Sequence, residues 1–255
     1  MKPRVVLLAN HIPGIEVMQY LLSNPDTNVV AVFTTGEDPD YDLQVEYLAA
    51  HADCKFYKGK EIWSSPTIVN VLEPLDVDFL VSVYWPWLIK DYALNSFKDS
   101  INFHPALLPK NRGWFPHVYN LKDGTPSGVS LHRIALRADT GDIWASQVVP
   151  QEKTDTASDL YLRLQSKIVE LFAKTWPRII KGEIIPRVQD ESLSTYNSKS
   201  EISTFDEIHL DSIVEVRSFI NLLRARTFKG KGFAYFIEDG VKVSISISLS
   251  EITPD

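Results

Sequence analysis

The chain has 255 residues, 44% of them hydrophobic and 23% charged, an ordinary globular composition that excludes collagen-like and intrinsically disordered classes. Lys and Arg number 26 against 33 Asp and Glu, so the net charge is −7 (26 − 33), which argues against nucleic acid as a partner. The longest apolar stretch, residues 79–89 (FLVSVYWPWLI), is broken by Ser82 and Pro86 and falls short of the about 20 apolar residues that span a bilayer, so no membrane segment is expected.

The start, MKPRVVLLANH, has a short apolar run from Val5 to Ala9, less than the about 7 to 15 residues of a secretory core. A single cysteine, Cys54, cannot close an intramolecular disulfide and has no zinc-site neighbours in sequence. A cytoplasmic location and no metal are the expectations.

Residues 4–9 form a nearly continuous apolar run, as a strand covered on both faces does. Residues 10–13 are expected to turn, and Pro13 to open a helix whose apolar stripe is Ile15, Val17, Met18, Leu21 and Leu22. Residues 28–35 read as the next strand, completing a βαβ unit. Helices follow at about 42–52 and around Ile68, then strands at 76–83 and 100–103. Residues 113–121 start a helix, and 128–136 and 143–150 are two strands forming a ribbon around the turn 138–142.

The longest helical pattern is 154–181. Beyond Gly182 the composition turns polar, then a helix at 213–226 precedes a hairpin, 232–236 with 241–249, joined by Asp239-Gly240. The fold expected is α/β: a doubly wound, mostly parallel sheet in residues 1–182, with a small α+β domain in 183–255.

Chemistry concentrates in residues 101–124, INFHPALLPKNRGWFPHVYNLKDG. Asn102 and His104, two apart at the end of a strand, point to one face at the carboxyl edge, where α/β sheets hold ligands. An amide donates to a developing oxyanion and an imidazole moves a proton near neutral pH, the two services that acyl transfer to an amine requires. A carboxylate completes the set, and on residue type alone either Asp139 or Asp142 of the turn serves.

Three ordered blocks, N-x-H-P-A-L-L-P-K-N-R-G from Asn102 to Gly113, G-V-S-L-H-R from Gly128 to Arg133 and A-D-T-G-D from Ala138 to Asp142, resemble the formyltransferase family that uses 10-formyltetrahydrofolate. The resemblance implies a Rossmann-like core and puts the catalytic groups on Asn102, His104 and Asp139. Asn102 and a protonated His104 would stabilise the oxyanion, and His104, helped by Asp139 and water, would handle the proton. It also implies folate contacts along Val83, Tyr84, Trp85, Trp87 and Leu88, and at Asp142.

The stretch 219–246, together with R-G-W-F-P at 112–116, is similar to the sugar-nucleotide N-formyltransferases of that family. The acceptor so implied is the 3- or 4-amine of a nucleotide-linked, dTDP-linked amino-dideoxy sugar for surface polysaccharide, and the assembly implied is a homodimer. Asn10, His11, Lys110, Arg112, Phe228 and Tyr235 are the candidate substrate contacts, as cations for a diphosphate, rings for a base and polar groups at a strand end.

Lys229-Gly230-Lys231 departs from that subgroup, whose relatives often carry prolines before the hairpin. Methionyl-tRNA as acceptor is disfavoured by the acidic chain and its short C-terminal part, and glycinamide ribonucleotide by the single glycine, Gly14, after the first strand. A non-catalytic nucleotide-sugar-binding protein is disfavoured by the complete set Asn102, His104 and Asp139. A metal hydrolase using His104, His117 and His132 is disfavoured by the lack of helical ligand spacing.

Overall fold

The computed structural model describes residues 1–252. The chain divides into two compact units, both discontinuous in sequence. The first comprises Met1–His104, Ser130–Ser146 and Ile168–Gln189; the second comprises Pro105–Val129, Gln147–Lys167 and the chain from Asp190 onward.

The first unit is built on β1 (Arg4–Ala9), α1 (His11–Ser23), β2 (Asn28–Thr34), α2 (Pro39–His51), β3 (Lys55–Lys58), α3 (Ile68–Leu72), β4 (Phe79–Val83), α4 (Asp91–Leu94) and β5 (Asp99–His104). The sheet has seven strands, and its order passes β3, β2, β1, β4 and β5 before two strands introduced below. Pairings through β5 are parallel. The expected doubly wound, mostly parallel sheet is therefore the fold observed.

Two local expectations change. Residues 11–13, expected to turn, form the first turn of α1, so Pro13 stands in the first turn as expected, and Asn10 caps the helix with its side-chain oxygen accepting from the His11 N–H. A strand not foreseen, β3, forms at one edge; KFYK is short and carries Lys at both ends, the composition that keeps an edge from pairing further.

Alternation along β1 sorts the core. Val6 and Leu8 join Phe33, Leu80, Trp63, Ile68, Leu72 and Trp85 in one buried cluster, while Val5, Leu7 and Ala9, also fully buried, face the other side. Covering the sheet on both faces is what makes β1 continuously apolar.

The long helix α6 (Ala157–Ile180) gives its C-terminal half to this unit. There Trp176 is fully buried, 5.2 Å from the Phe79 ring and 5.5 Å from Phe172, and its indole N–H donates to Thr27 Oγ1 at 2.8 Å.

The second unit carries the two-residue β6 (Arg112–Gly113), α5 (Pro116–Asp123), β9 (Tyr196–Asn197), α7 (Val216–Ala225), the two-residue strands β10 (Thr227–Phe228) and β11 (Lys231–Gly232), and the hairpin of β12 (Ala234–Glu238) and β13 (Val241–Ile245). Asp239 and Gly240 both have positive φ, 49° and 78°, as a two-residue hairpin turn with primed geometry requires. Ion pairs of this unit include Arg226 with Asp206, both nearly buried, and Arg163 forking onto Asp155 with two 2.7 Å bonds.

β7 (Gly128–His132) and β8 (Ile143–Val148) complete the sheet order, β7 lying antiparallel beside β5, so the expected ribbon is part of the main sheet.

Candidate active site

Register brings the site together. β4 pairs with β5 so that Ser82 stands opposite Asn102, and β7 pairs with β5 so that His132 stands opposite Asn102 and Ser130 opposite His104. Directly opposed residues put their side chains on the same face of the sheet.

Five side chains meet there, with distances that define a connected cluster. Asn102 Nδ2 is 3.1 Å from His132 Nε2, and its Oδ1 accepts from the Ser82 hydroxyl at 2.9 Å. Asp139 reaches both imidazoles, with Oδ2 3.4 Å from His104 Nδ1 and Oδ1 3.3 Å from His132 Nε2. His104 and His132 are 4% and 1% exposed, so these polar contacts form in a desolvated place where electrostatic effects are strong.

The turn that delivers Asp139 is held from several sides. Asp139 itself has φ 56°, a left-handed conformation that stores strain and is found preferentially at functional sites. Gln189 donates from its amide to the carbonyls of Asp139 (2.9 Å) and Gly141 (2.6 Å). Gly141 runs so close to the Arg133 carbonyl that a Cβ would lie 2.0 Å from that oxygen. Arg133 forks onto Asp99 at 2.9 and 2.6 Å, lies 3.6 Å from Asp142, and has its pKa raised, first by the bond to Asp99. Asp142 thus supports the turn.

Asn102, His104 and Asp139, singled out by motif, are brought together. His132, weighed above only as a metal ligand, belongs with them, while Ser82 and Gln189 were not singled out at all. His132 had a signal in the alternating strand GVSLH, whose last residue faces the partner strand; Gln189 had none, lying in a polar stretch.

Asn10, His11 and Tyr84 form a second group on the first unit. Asn10 Nδ2 donates to the Tyr84 carbonyl at 3.0 Å, and the rings of His11 and Tyr84 meet edge to face at 6.1 Å. Both His11 and Tyr84 have φ 54°. Partial burial lowers the His11 pKa, opposed by the nearby charges of Asp38 and Glu37.

In the loop after β4, Val83 and Trp85 are buried, Trp85 packing edge to face on Trp63 and Trp87, while Leu88 is exposed. In the second unit Lys110 is exposed and Phe228 is half-buried. Tyr235 donates to Glu207 at 3.2 Å, with Lys242 3.4 Å over its ring. Arg112 is 5% exposed and forks onto Glu191 at 3.0 and 2.7 Å, so its charge is neutralised within the unit.

The cluster at the carboxyl edge offers an amide donor, a proton carrier and an orienting carboxylate, the equipment of acyl transfer. Residues 14–175, well over half of the chain and including Asn102, His104, His132 and Asp139, match the family model described as formyl transferase. The chain belongs to the formyl transferase family. Residues 201–251 of this formyl transferase match a second model, the N-formyltransferase dimerization C-terminal domain.

Among solved structures, a 4-N formyltransferase from Francisella tularensis is similar at 27% identity and a TM-score of 0.81, covering 98% of this chain and 99% of that one. A sugar N-formyltransferase from a Shewanella species is similar at 23% identity and 0.82, over 99% and 100%. An N-formyltransferase from Helicobacter canadensis, in complex with folinic acid and dTDP-3-aminofucose, is similar at 24% and 0.68, over 95% and 86%. The last two likenesses speak to the fold.

In the loop after β4 of this formyl transferase the Trp85 indole N–H is buried with no hydrogen-bond partner, and the half-buried Trp87 ring lies beside it. No helix among the described residues is long and apolar enough to cross a membrane.

Proposed function

We propose that this formyl transferase moves the formyl group of 10-formyltetrahydrofolate onto the 3- or 4-amine of a nucleotide-linked amino-dideoxy sugar, with dTDP as the nucleotide. The observation that carries the reading is the Asn102, His132, Asp139 and His104 cluster in a chain that aligns end to end with a 4-N formyltransferase. A cytoplasmic setting, surface polysaccharide as the destination and a homodimer belong to the same reading. The dimer is supported by the dimerization-domain match and by the exposed Ile237, Val241 and Val243 of the hairpin.

When bound, the folate supplies a formyl carbonyl ready for attack by an amine. In this reading Val83, Tyr84, Trp85, Trp87 and Leu88, with Asp142, hold it. Asn102 donates an amide N–H to the carbonyl oxygen as that oxygen gains charge. His104 takes the proton that the acceptor amine gives up on forming its new C–N bond, and returns it to the nitrogen that leaves. Asp139 faces His104 Nδ1, fixing the ring, so that Nε2 is the nitrogen that exchanges protons.

Asn10, His11, Lys110, Phe228 and Tyr235 are proposed as contacts for the sugar nucleotide, and Arg112 as the tie that holds its own loop through Glu191. Residues 1–182 serve as the catalytic part and 183–255 as the accessory part, in keeping with the matches over 14–175 and 201–251.

The test is turnover with 10-formyltetrahydrofolate against dTDP-, UDP- and GDP-linked 3-amino and 4-amino sugars, following tetrahydrofolate release. Formylation of a dTDP-linked member is the expected result. Folate binding without turnover on any member would contradict the acceptor class.

A further inference from the structure

We propose that Ser82 is a positioning residue for formyl transfer, its hydroxyl holding the Asn102 amide in the orientation that keeps an N–H available to the reacting carbonyl. The inference rests on the reading of Asn102 as the oxyanion donor.

A side-chain amide has two ends of nearly equal shape and opposite hydrogen-bonding character, so packing does not choose between them; hydrogen bonds do. Here the choice propagates from a group that can only accept. His132 Nδ1 lies 2.6 Å from the carbonyl oxygen of Arg133, so Nδ1 carries the hydrogen. In the neutral ring Nε2 is then an acceptor, and the amide end 3.1 Å away is the NH2 of Asn102. Oδ1 therefore faces Ser82, and the Ser82 hydroxyl, 2.9 Å from it, donates.

Ser82 is placed for this by register. It stands opposite Asn102 in the parallel ladder of β4 and β5, and it is 2% exposed, so water does not readily substitute for its hydroxyl. It is a polar residue in a strand otherwise made of Phe, Leu and Val.

The amide needs this anchor because its other neighbour is contested. Asp139 Oδ1 is 3.3 Å from the same His132 Nε2 and draws that nitrogen toward itself whenever it is protonated. Without Ser82, Oδ1 loses its donor at a site from which water is largely excluded, and the amide is held at one end only. Its N–H is then no longer fixed on the oxygen that must gain charge.

The experiment compares Ser82→Ala and Ser82→Thr with wild type in two assays. In the first, kcat and both KM values are measured on the acceptor found by the panel. Ser82→Ala is expected to lower kcat about tenfold or more with both KM values within about twofold, and Ser82→Thr, which keeps the hydroxyl, to recover most of the rate. In the second, side-chain amide 15N NMR reads the Asn102 NH2 with no acceptor present. Wild type and Ser82→Thr are expected to show two resolved N–H signals protected from exchange, and Ser82→Ala to show them broadened and exchanging faster.

An unchanged kcat in Ser82→Ala, a loss confined to KM, equal impairment in Ser82→Thr, or unchanged Asn102 amide signals would each overturn the proposal. If wild type formylates none of the panel, the acceptor reading fails on its own and the amide comparison still decides the role of Ser82.

Discussion

Asp139 sets one carboxylate oxygen 3.4 Å from Nδ1 of His104, and its second oxygen stands 3.3 Å from Nε2 of His132. One carboxylate thus faces two imidazoles that differ in their other partners. The His132 Nδ1 is tied to a backbone carbonyl, which suits that ring to a fixed structural role. His104 takes its orientation from Asp139, which leaves the ring suited to proton exchange.

The turn that presents Asp139 depends on the absence of a side chain at Gly141. A Cβ there would meet the Arg133 carbonyl at 2.0 Å, far inside contact distance, so Gly141→Ala must displace either the turn or the end of β7. The expected result is a kcat lowered by at least about tenfold, with the cooperative melt retained, since misplacement by about an ångström is enough for such losses. Wild-type kcat in Gly141→Ala would show that the position of the turn does not matter.

His117 gives the second unit an acid-sensitive element. It is buried in the second unit beside Tyr161 and Phe228, and burial, with the Arg226 charge as a smaller cause, pushes its pKa down to about 3. The folded value lies below the ordinary 6.5, so the unfolded chain takes up the proton first. Stability is complete above about pH 6.5 and declines as pH falls toward the folded value, by about 1.4 kcal/mol per pH unit. Urea titrations at pH 6.5 and 5 are expected to show a smaller acid loss in His117→Phe than in wild type; equal losses would remove His117 from the account.

Trp176 anchors the helix α6 on the first unit. Fully buried among Phe172 and Phe79, with its N–H on Thr27, it is expected to cost about 3–5 kcal/mol when cut to Ala, read as a lowered denaturant midpoint. A loss under about 1 kcal/mol would mean that this end of the helix contributes little to the core.

Much of this was legible in the chain. Continuous apolar runs announced β1 and β4, the Asp239-Gly240 pair announced the hairpin, and the N-x-H spacing put Asn102 and His104 on one face. These are local signals, set by period or by turn chemistry within a few residues. What was missed depends on pairing across the chain. Ser82 reads as an interruption of an apolar strand until register sets it opposite Asn102. Gln189 reads as one polar residue among many until it meets the carbonyls of Asp139 and Gly141. Arg112 reads as a free cation for a diphosphate until Glu191 accounts for its charge. The start of α1 was available in the sequence, since Asn10 is a preferred N-cap residue, although residues 10–13 read as a turn.

The most direct measurement is kcat of His104→Asn and Asp139→Ala, with folding checked by circular dichroism, on the nucleotide-linked amine that wild type formylates. Both groups act on the transition state, so the account predicts rates lowered by about a hundredfold or more with the fold intact. More than about a tenth of the wild-type rate in either variant would contradict the roles assigned to the pair.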